Sequence, residues 1–337
     1  MLREMSRRSW ILLGALSALW GASYLFIKLA LEDEVSPAVI VTVRTALAAL
    51  VLLPVAAQRG VLSGIRPNAG PILVLSVVQM GGPLLLIAVG EQEISSSLTG
   101  ILVATAPIFT FLLAFTLEGE ERASGLSLAG VAIGIAGVAL LLGVDAGGGT
   151  AALVGGLCVV LASFGYGVGA WVVKRRVHNI EPVTMVGATA ATAAVLTAPL
   201  AALNLPTEAP SGTAVASLLV LGVLCTGAAF VIFYSLVSSD GPAKASLVGY
   251  IAPGFSIVYG VTLLGEGFTP TTAAGLLLIT GGSWLAAESR FPWRSRSAAC
   301  GELAAGGVDL APAREPDRGP QTALLEGAPE RGDRVPA

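Results

Sequence analysis

The sequence predicts an all-α membrane protein, with ten transmembrane helices arranged as two inverted-topology repeats of five. Three observations carry this. Of 337 residues, 54% are hydrophobic and only 12% charged, with a mean hydropathy of +0.81. Soluble domains carry roughly a quarter charged residues, so this chain must expose apolar surface to lipid. Second, ten mostly apolar stretches reach the length of about 20 residues that a bilayer requires. Third, one pattern is written twice. Trp20-Gly21 and Lys28 return as Tyr166-Gly167 and Lys174, 146 positions on, and Pro107 and Gly119-Glu120 return as Pro253 and Gly265-Glu266 at the same shift. Pro37 and Pro54 return as Pro182 and Pro199 at a shift of 145.

The expected spans are 9–31, 37–57, 70–91, 95–117 and 124–143 in the first repeat, then 151–173, 182–203, 213–237, 243–264 and 270–288 in the second. The repeats occupy 9–143 and 151–288. A short N-terminus, 1–8, precedes them, and a Gly-, Pro- and Ala-rich segment, 289–337, follows. From Ser297 onward that segment reads as a disordered cytoplasmic extension, because there it lacks aromatics and sustained apolar periodicity. The first span follows Arg7-Arg8, but it is longer than a signal-peptide core and nine more spans follow, so it is expected to stay. Lysine and arginine set orientation. With the N-terminus inside, thirteen of them fall on the inner face and only Lys28 on the outer. Both termini are therefore expected in the cytoplasm. Five helices per half is an odd number, so the second half must run opposite to the first. Such repeats place a solute site near the midplane, between the halves, and a duplicated bundle with matched interruptions is a common design for a secondary transporter.

Arg44 is the one strongly basic residue well inside a span. A charge there costs at least about 2.5 kcal/mol, so it should face a partner or a watery cavity. It suits an anion-attracting group or an ion pair gating the outer mouth. Pairing with Glu91 or Glu93, or snorkelling to headgroups, would satisfy it equally. Trp20, Ser23 and Tyr24 share one face of the first helix or its edge, and Tyr166 is the repeat partner of Trp20. Aromatic rings with polar handles suit an amphipathic solute; helix packing is the plainer reading. Gln79, followed by Gly81-Gly82-Pro83, marks a loosened or bent segment. Thr226, Phe230 and Tyr234 recur one turn apart on the eighth helix, and Tyr250 sits one turn before Pro253. Each suits the cavity wall and an ordinary bond between helices equally. Pro107 and Pro253 are matched hinge candidates, since a helical proline removes one hydrogen bond and crowds the preceding turn. Glu91 and Glu93 are the better placed of the carboxylates for proton coupling. Glu120 and Glu266 fit a role capping the following helix, or a loop hydrogen bond.

Gly130 and Gly134, and Gly165 and Gly169, form small-xxx-small faces. These suit packing inside a Gly-rich bundle more than a homodimer. Cys158, Cys225 and Cys300 show no ligand or redox spacing. His178, the single histidine, lies beside Arg175 and Arg176 in a loop. No metal site, cofactor, phosphate-binding loop or catalytic triad is expected, and no nucleic-acid partner. The expected partners are a small-molecule substrate and the lipid bilayer.

Together these residues resemble the EamA family of the drug/metabolite transporter superfamily, over residues 9 to 288. The resemblance rests on Leu19-Trp20-Gly21-Ala22-Ser23, on Arg44-Thr45-Ala46-Leu47-Ala48, and on Leu98-Thr99-Gly100 through Ala106-Pro107-Ile108 to Gly119-Glu120. It rests equally on Ala245-Ser246-Leu247 through Ala252-Pro253 to Leu264-Gly265-Glu266, and on Gly155-Gly156-Leu157 to Tyr166. It implies a carrier of the cytoplasmic membrane that moves amino acids, other small metabolites or drugs, often outward. Its cavity would be bounded by helices one, three, four, six, eight and nine. Tyr166 stands where the family usually has tryptophan, and the long tail departs from the family pattern. Two other classes stay open: a non-transporting scaffold or sensor acting through the tail, and a lipid-directed membrane enzyme. The enzyme would need ionisable residues gathered at one depth.

Overall fold

The computed structural model describes residues 6–118, 125–145, 149–177 and 179–288. Glu120, His178, Cys300 and the tail 297–337 lie outside the described residues. Among the described residues the chain forms ten helical segments. α1 is Arg7–Glu32 and α2 Pro37–Gln58; α3 joins Ala69–Leu75, Ser76–Gly81 and Gly82–Glu93; α4 joins Ser96–Val103 and Ala106–Glu118; α5 joins Gly125–Leu140 and Leu141–Asp145. In the second half α6 is Thr150–Arg176 and α7 Pro182–Ala202. α8 joins Gly212–Leu219, Val220–Ala228 and Ala229–Asp240. α9 is Val248–Leu263, preceded by the short turn Pro242–Ala245, and α10 is Pro270–Glu288. Eight segments are long and apolar enough to cross a membrane, α9 is a shorter apolar helix, and α10 closes the second repeat.

Local sequence sets several starts. Serine side chains cap α1, α2, α4 and α8: Ser6 accepts from Ser9 N, Ser36 from Val39 N, Ser95 from Leu98 N and Ser211 from Ala214 N. Each satisfies one of the amides a helix start leaves open. α10 is capped by its own Thr269, which accepts from Thr272 N at 3.0 Å. Glu266 does not cap that following helix, as the sequence suggested. Its carboxylate accepts from Ser96 N at 2.7 Å and Ser97 N at 2.9 Å, at the start of α4.

The halves interlock pairwise. α2 lies along α7 and α5 along α10, while α1 packs on α9 and α6 on α4. α3 packs on α6 as α8 does on α1. Each contact maps onto another, or onto itself, when the halves are exchanged. The ends fix the inversion. Ser9 Oγ at the start of α1 donates to Asp240 at the end of α8, at 2.8 Å. Lys28 Nζ, late in α1, donates to the carbonyl of Glu91 at 2.9 Å, and Glu93 of that same turn packs against Gly155 at the start of α6. So α6 begins where α1 ends. Both small-xxx-small faces are used inside the chain: Gly130 and Gly134 meet α10 and Ile108, and Gly165 and Gly169 meet Val78 and Gln79 of α3.

The repeats differ where the sequence paired Pro107 with Pro253. α4 breaks at Ala104-Thr105 and restarts, with Pro107 as the second residue of the new helix. There the missing amide is one that a helix start leaves unbonded in any case. Pro253 lies inside the continuous α9, and the break in the second repeat comes earlier, before Val248. A different pair of interruptions does match. The wide, π-type turn Ser76–Gly81 of α3 falls, 146 positions on, inside the wide turn Val220–Ala228 of α8.

Candidate functional site

Arg44 projects from α2 into the junction of the two halves and is 1% exposed. Its Nε donates to Thr226 Oγ1 at 3.0 Å and its Nη2 to Ser23 Oγ at 3.0 Å. One guanidinium thus ties α1 and α2 of the first repeat to α8 of the second. Thr226 is presented by the wide turn, where its hydroxyl also donates to Leu221 O, five residues back, at 2.8 Å. Such turns leave carbonyls out of the regular ladder and recur at functional sites. Arg44 neither snorkels nor forms an ion pair with Glu91 or Glu93, two of the readings its sequence position allowed. Its Nη1 has no hydrogen-bond partner among the described residues.

Around it stand Tyr24, Tyr166, Cys225 and Glu91, its electrostatic neighbours. Glu91 is fully buried, and neither of its carboxylate oxygens has a hydrogen-bond partner among the described residues. Glu93, two residues on, is exposed. The helix repeat explains the split: two residues apart is about 200° around the axis, so the two acids cannot share a face. A buried charge or polar atom without a partner is costly in low dielectric. Arg44 Nη1 and Glu91 thus leave unused bonding capacity in one region.

A second, aromatic cluster lies further along α1 and α8. Trp20 meets Phe230 edge-on and Phe233 at a tilt, with ring centres at 5.5 and 5.3 Å. Tyr234 contacts both phenylalanines, at 6.3 and 5.2 Å, and its hydroxyl adjoins Gln79. Gln79, on the wide turn of α3, packs directly over Gly169 of α6, and its Oε1 has no partner among the described residues. Thr226 and Tyr234 are eight residues apart on one helix, about 12 Å along its axis. The charged and aromatic clusters therefore sit one above the other.

Of the residues singled out from sequence, Ser23, Tyr24, Arg44, Tyr166, Thr226 and Glu91 come together in the first cluster. Trp20, Gln79, Phe230 and Tyr234 form the second. Tyr250 points elsewhere, its hydroxyl donating to Ser283 O of α10 at 3.3 Å. Glu93 joins neither. Cys225 has no ligand or redox spacing in the sequence, yet it neighbours Arg44; its match to Gln79 at the repeat shift of 146 is the signal the sequence offers. Among the described residues no three His, Cys, Asp or Glu side chains converge on a point.

The same architecture occurs in known proteins. A crystal structure matches this fold with a TM-score of 0.61 at 21% identity, over 84% of this chain and 97% of the other. The uncharacterized transporter YoaV of Bacillus subtilis is 26% identical over 82% of this chain and 96% of its own length. An uncharacterized transporter of Archaeoglobus fulgidus is 27% identical over 83% of this chain and 98% of its own. The uncharacterized inner membrane transporter YedA of Escherichia coli K12 is 26% identical over 76% and 83%. The EamA-like transporter family model matches twice, at residues 8–143 and 153–287, one match for each repeat. This multi-pass membrane protein belongs to the EamA-like transporter family.

Proposed function

We propose that this transporter is a secondary carrier that exports a small amphipathic solute, an amino acid or another small metabolite or drug, by alternating access. The supporting observation is Arg44, buried at the junction of the halves and tied to both, with Nη1 left free. A desolvated cation with spare donors suits an anionic group of a solute. The aromatic cluster beside it suits an apolar part. No bond is made or broken; the halves rock about the site, with α4 and α9 bending near Pro107 and Pro253. Of the two acids, Glu91 is the one placed to exchange a proton with the cavity, because Glu93 lies on the exposed face. The charge bias puts both termini in the cytoplasm, which impermeant labelling of single cysteines at Ser6 and Ser95 from one side would check.

Uptake into proteoliposomes of purified protein, with pooled labelled amino acids and metabolites and an imposed pH gradient, tests this reading. Saturable flux of one class, raised by the gradient, is expected. Arg44→Ala should lose at least 90% of that flux while inserting normally. Full flux from Arg44→Ala would remove Arg44 from the mechanism, and absence of flux from folded protein across all classes would count against a carrier.

A further inference from the structure

At the end of the bundle where α1 finishes, one carboxylate joins the two repeats. Glu266 follows α9, in the second repeat; its Oε1 accepts from Ser96 N, and its Oε2 accepts from Ser97 N and from Ser97 Oγ, all at the start of α4 in the first repeat. The backbone is shaped for this. Gly265 has φ +67°, a left-handed conformation open to glycine at little cost, and the turn lets Glu266 N donate back to Gly260 O at 3.0 Å. Gly260 leaves the space: a side chain there would fall on both Glu266 Oε2 and Ser97 Oγ.

The contact is the first of a row. α4 and α9 run antiparallel, with Ser97 at Gly260, Gly100 at Ser256, and Pro107 at Gly249. At each of these three points a glycine of one helix faces a small side chain of the other. Tyr24 of the charged cluster lies against the same row, 3.2 Å from where a Cβ on Gly100 would be. Glu91 of that cluster is an electrostatic neighbour of Glu266. To open this end of the cavity, α4 and α9 must part, and the Glu266 bonds are polar contacts that cross the seam. A carboxylate on the first amides of a helix also gains from the helix dipole. Such bonds are stronger than neutral ones, yet they can be exchanged for water.

We propose that Glu266 is a positioning residue of the transport cycle: a latch that holds the α4–α9 seam closed at this end, and whose release lets that side open. The inference rests on the alternating-access reading. The repeat-related Gly119-Glu120 lies outside the described residues.

The test uses full-length protein in oriented proteoliposomes, with Cys158, Cys225 and Cys300 replaced and a single reporter, Ser256→Cys. Ser256 is 1% exposed, inside the seam. A small charged thiosulfonate is applied to each side in turn. Glu266→Gln should raise the labelling rate at least tenfold from the side where α1 ends, without a rise from the other side. Gly260→Ala, which displaces the carboxylate without replacing it, should do the same, and Glu266→Asp should fall between. Unchanged labelling in Glu266→Gln and Gly260→Ala would overturn the latch. So would an equal rise from both sides, or loss of the folded protein in all three variants, since either marks a structural cap. The assay needs no solute: unchanged labelling removes the latch alone, whereas the carrier reading stands or falls on flux.

Discussion

Arg44 is held by two neutral hydroxyls, Ser23 and Thr226. Two hydrogen bonds to a charged group contribute about 3–6 kcal/mol together, against about 2.5–3.5 kcal/mol for placing arginine at mid-membrane on insertion scales. The net hold on the side chain is therefore modest, which suits a group that binds and releases. Trp20 tests the other cluster. Its ring lies against Phe230 and Phe233, so Trp20→Ala removes a wall of the proposed cavity. The half-saturation concentration should rise at least fivefold while the membrane level stays within about twofold of wild type. Unchanged half-saturation at normal level would make Trp20 a packing residue only.

At the scale of elements, the interrupted helices set the geometry. α3 and α8 each widen at matched places, and these turns present Gln79 on one side and Cys225 and Thr226 on the other. The sequence marks the first turn with Gly81-Gly82-Pro83. It marks the second only with Gly222 and Gly227, in an otherwise uniform apolar run. The helix pair α5 and α10 is closed by glycine. A Cβ on Gly282 would stand 2.5 Å from Gly134 N and 2.6 Å from Gly130 O. Both are backbone atoms, so neither can swing aside. Gly282→Ala should cost about 1–3 kcal/mol by overpacking, read as a lower thermal midpoint in detergent. An unshifted midpoint would mean that the pair is free to separate.

For the whole molecule, the carrier and scaffold readings differ in where activity resides. The helices of both repeats lie within residues 6–288, and the second family match ends at 287. Deleting 297–337 should therefore leave flux per folded molecule within about twofold. Loss of the cellular effect with flux retained would assign the tail a separate partner, and loss of flux in correctly inserted protein would count against a carrier made of the repeats alone.

The sequence by itself determined the membrane class, the two repeats and their inversion. Each follows from a property that needs no contact: apolar length against bilayer thickness, self-similarity at a fixed shift, and an odd number of helices per repeat. It also marked Arg44, because an isolated charge in an apolar span stands out. Tertiary structure decided what Arg44 touches, since Ser23 and Thr226 are 21 and 182 positions away and many other hydroxyls were equal candidates. It separated Glu91 from Glu93 by helix rotation and set Pro107 at a restart but Pro253 inside a helix. It also carried Glu266 across to α4. Those outcomes depend on which helices meet and at what rotation, and close packing across sequence-distant segments fixes both.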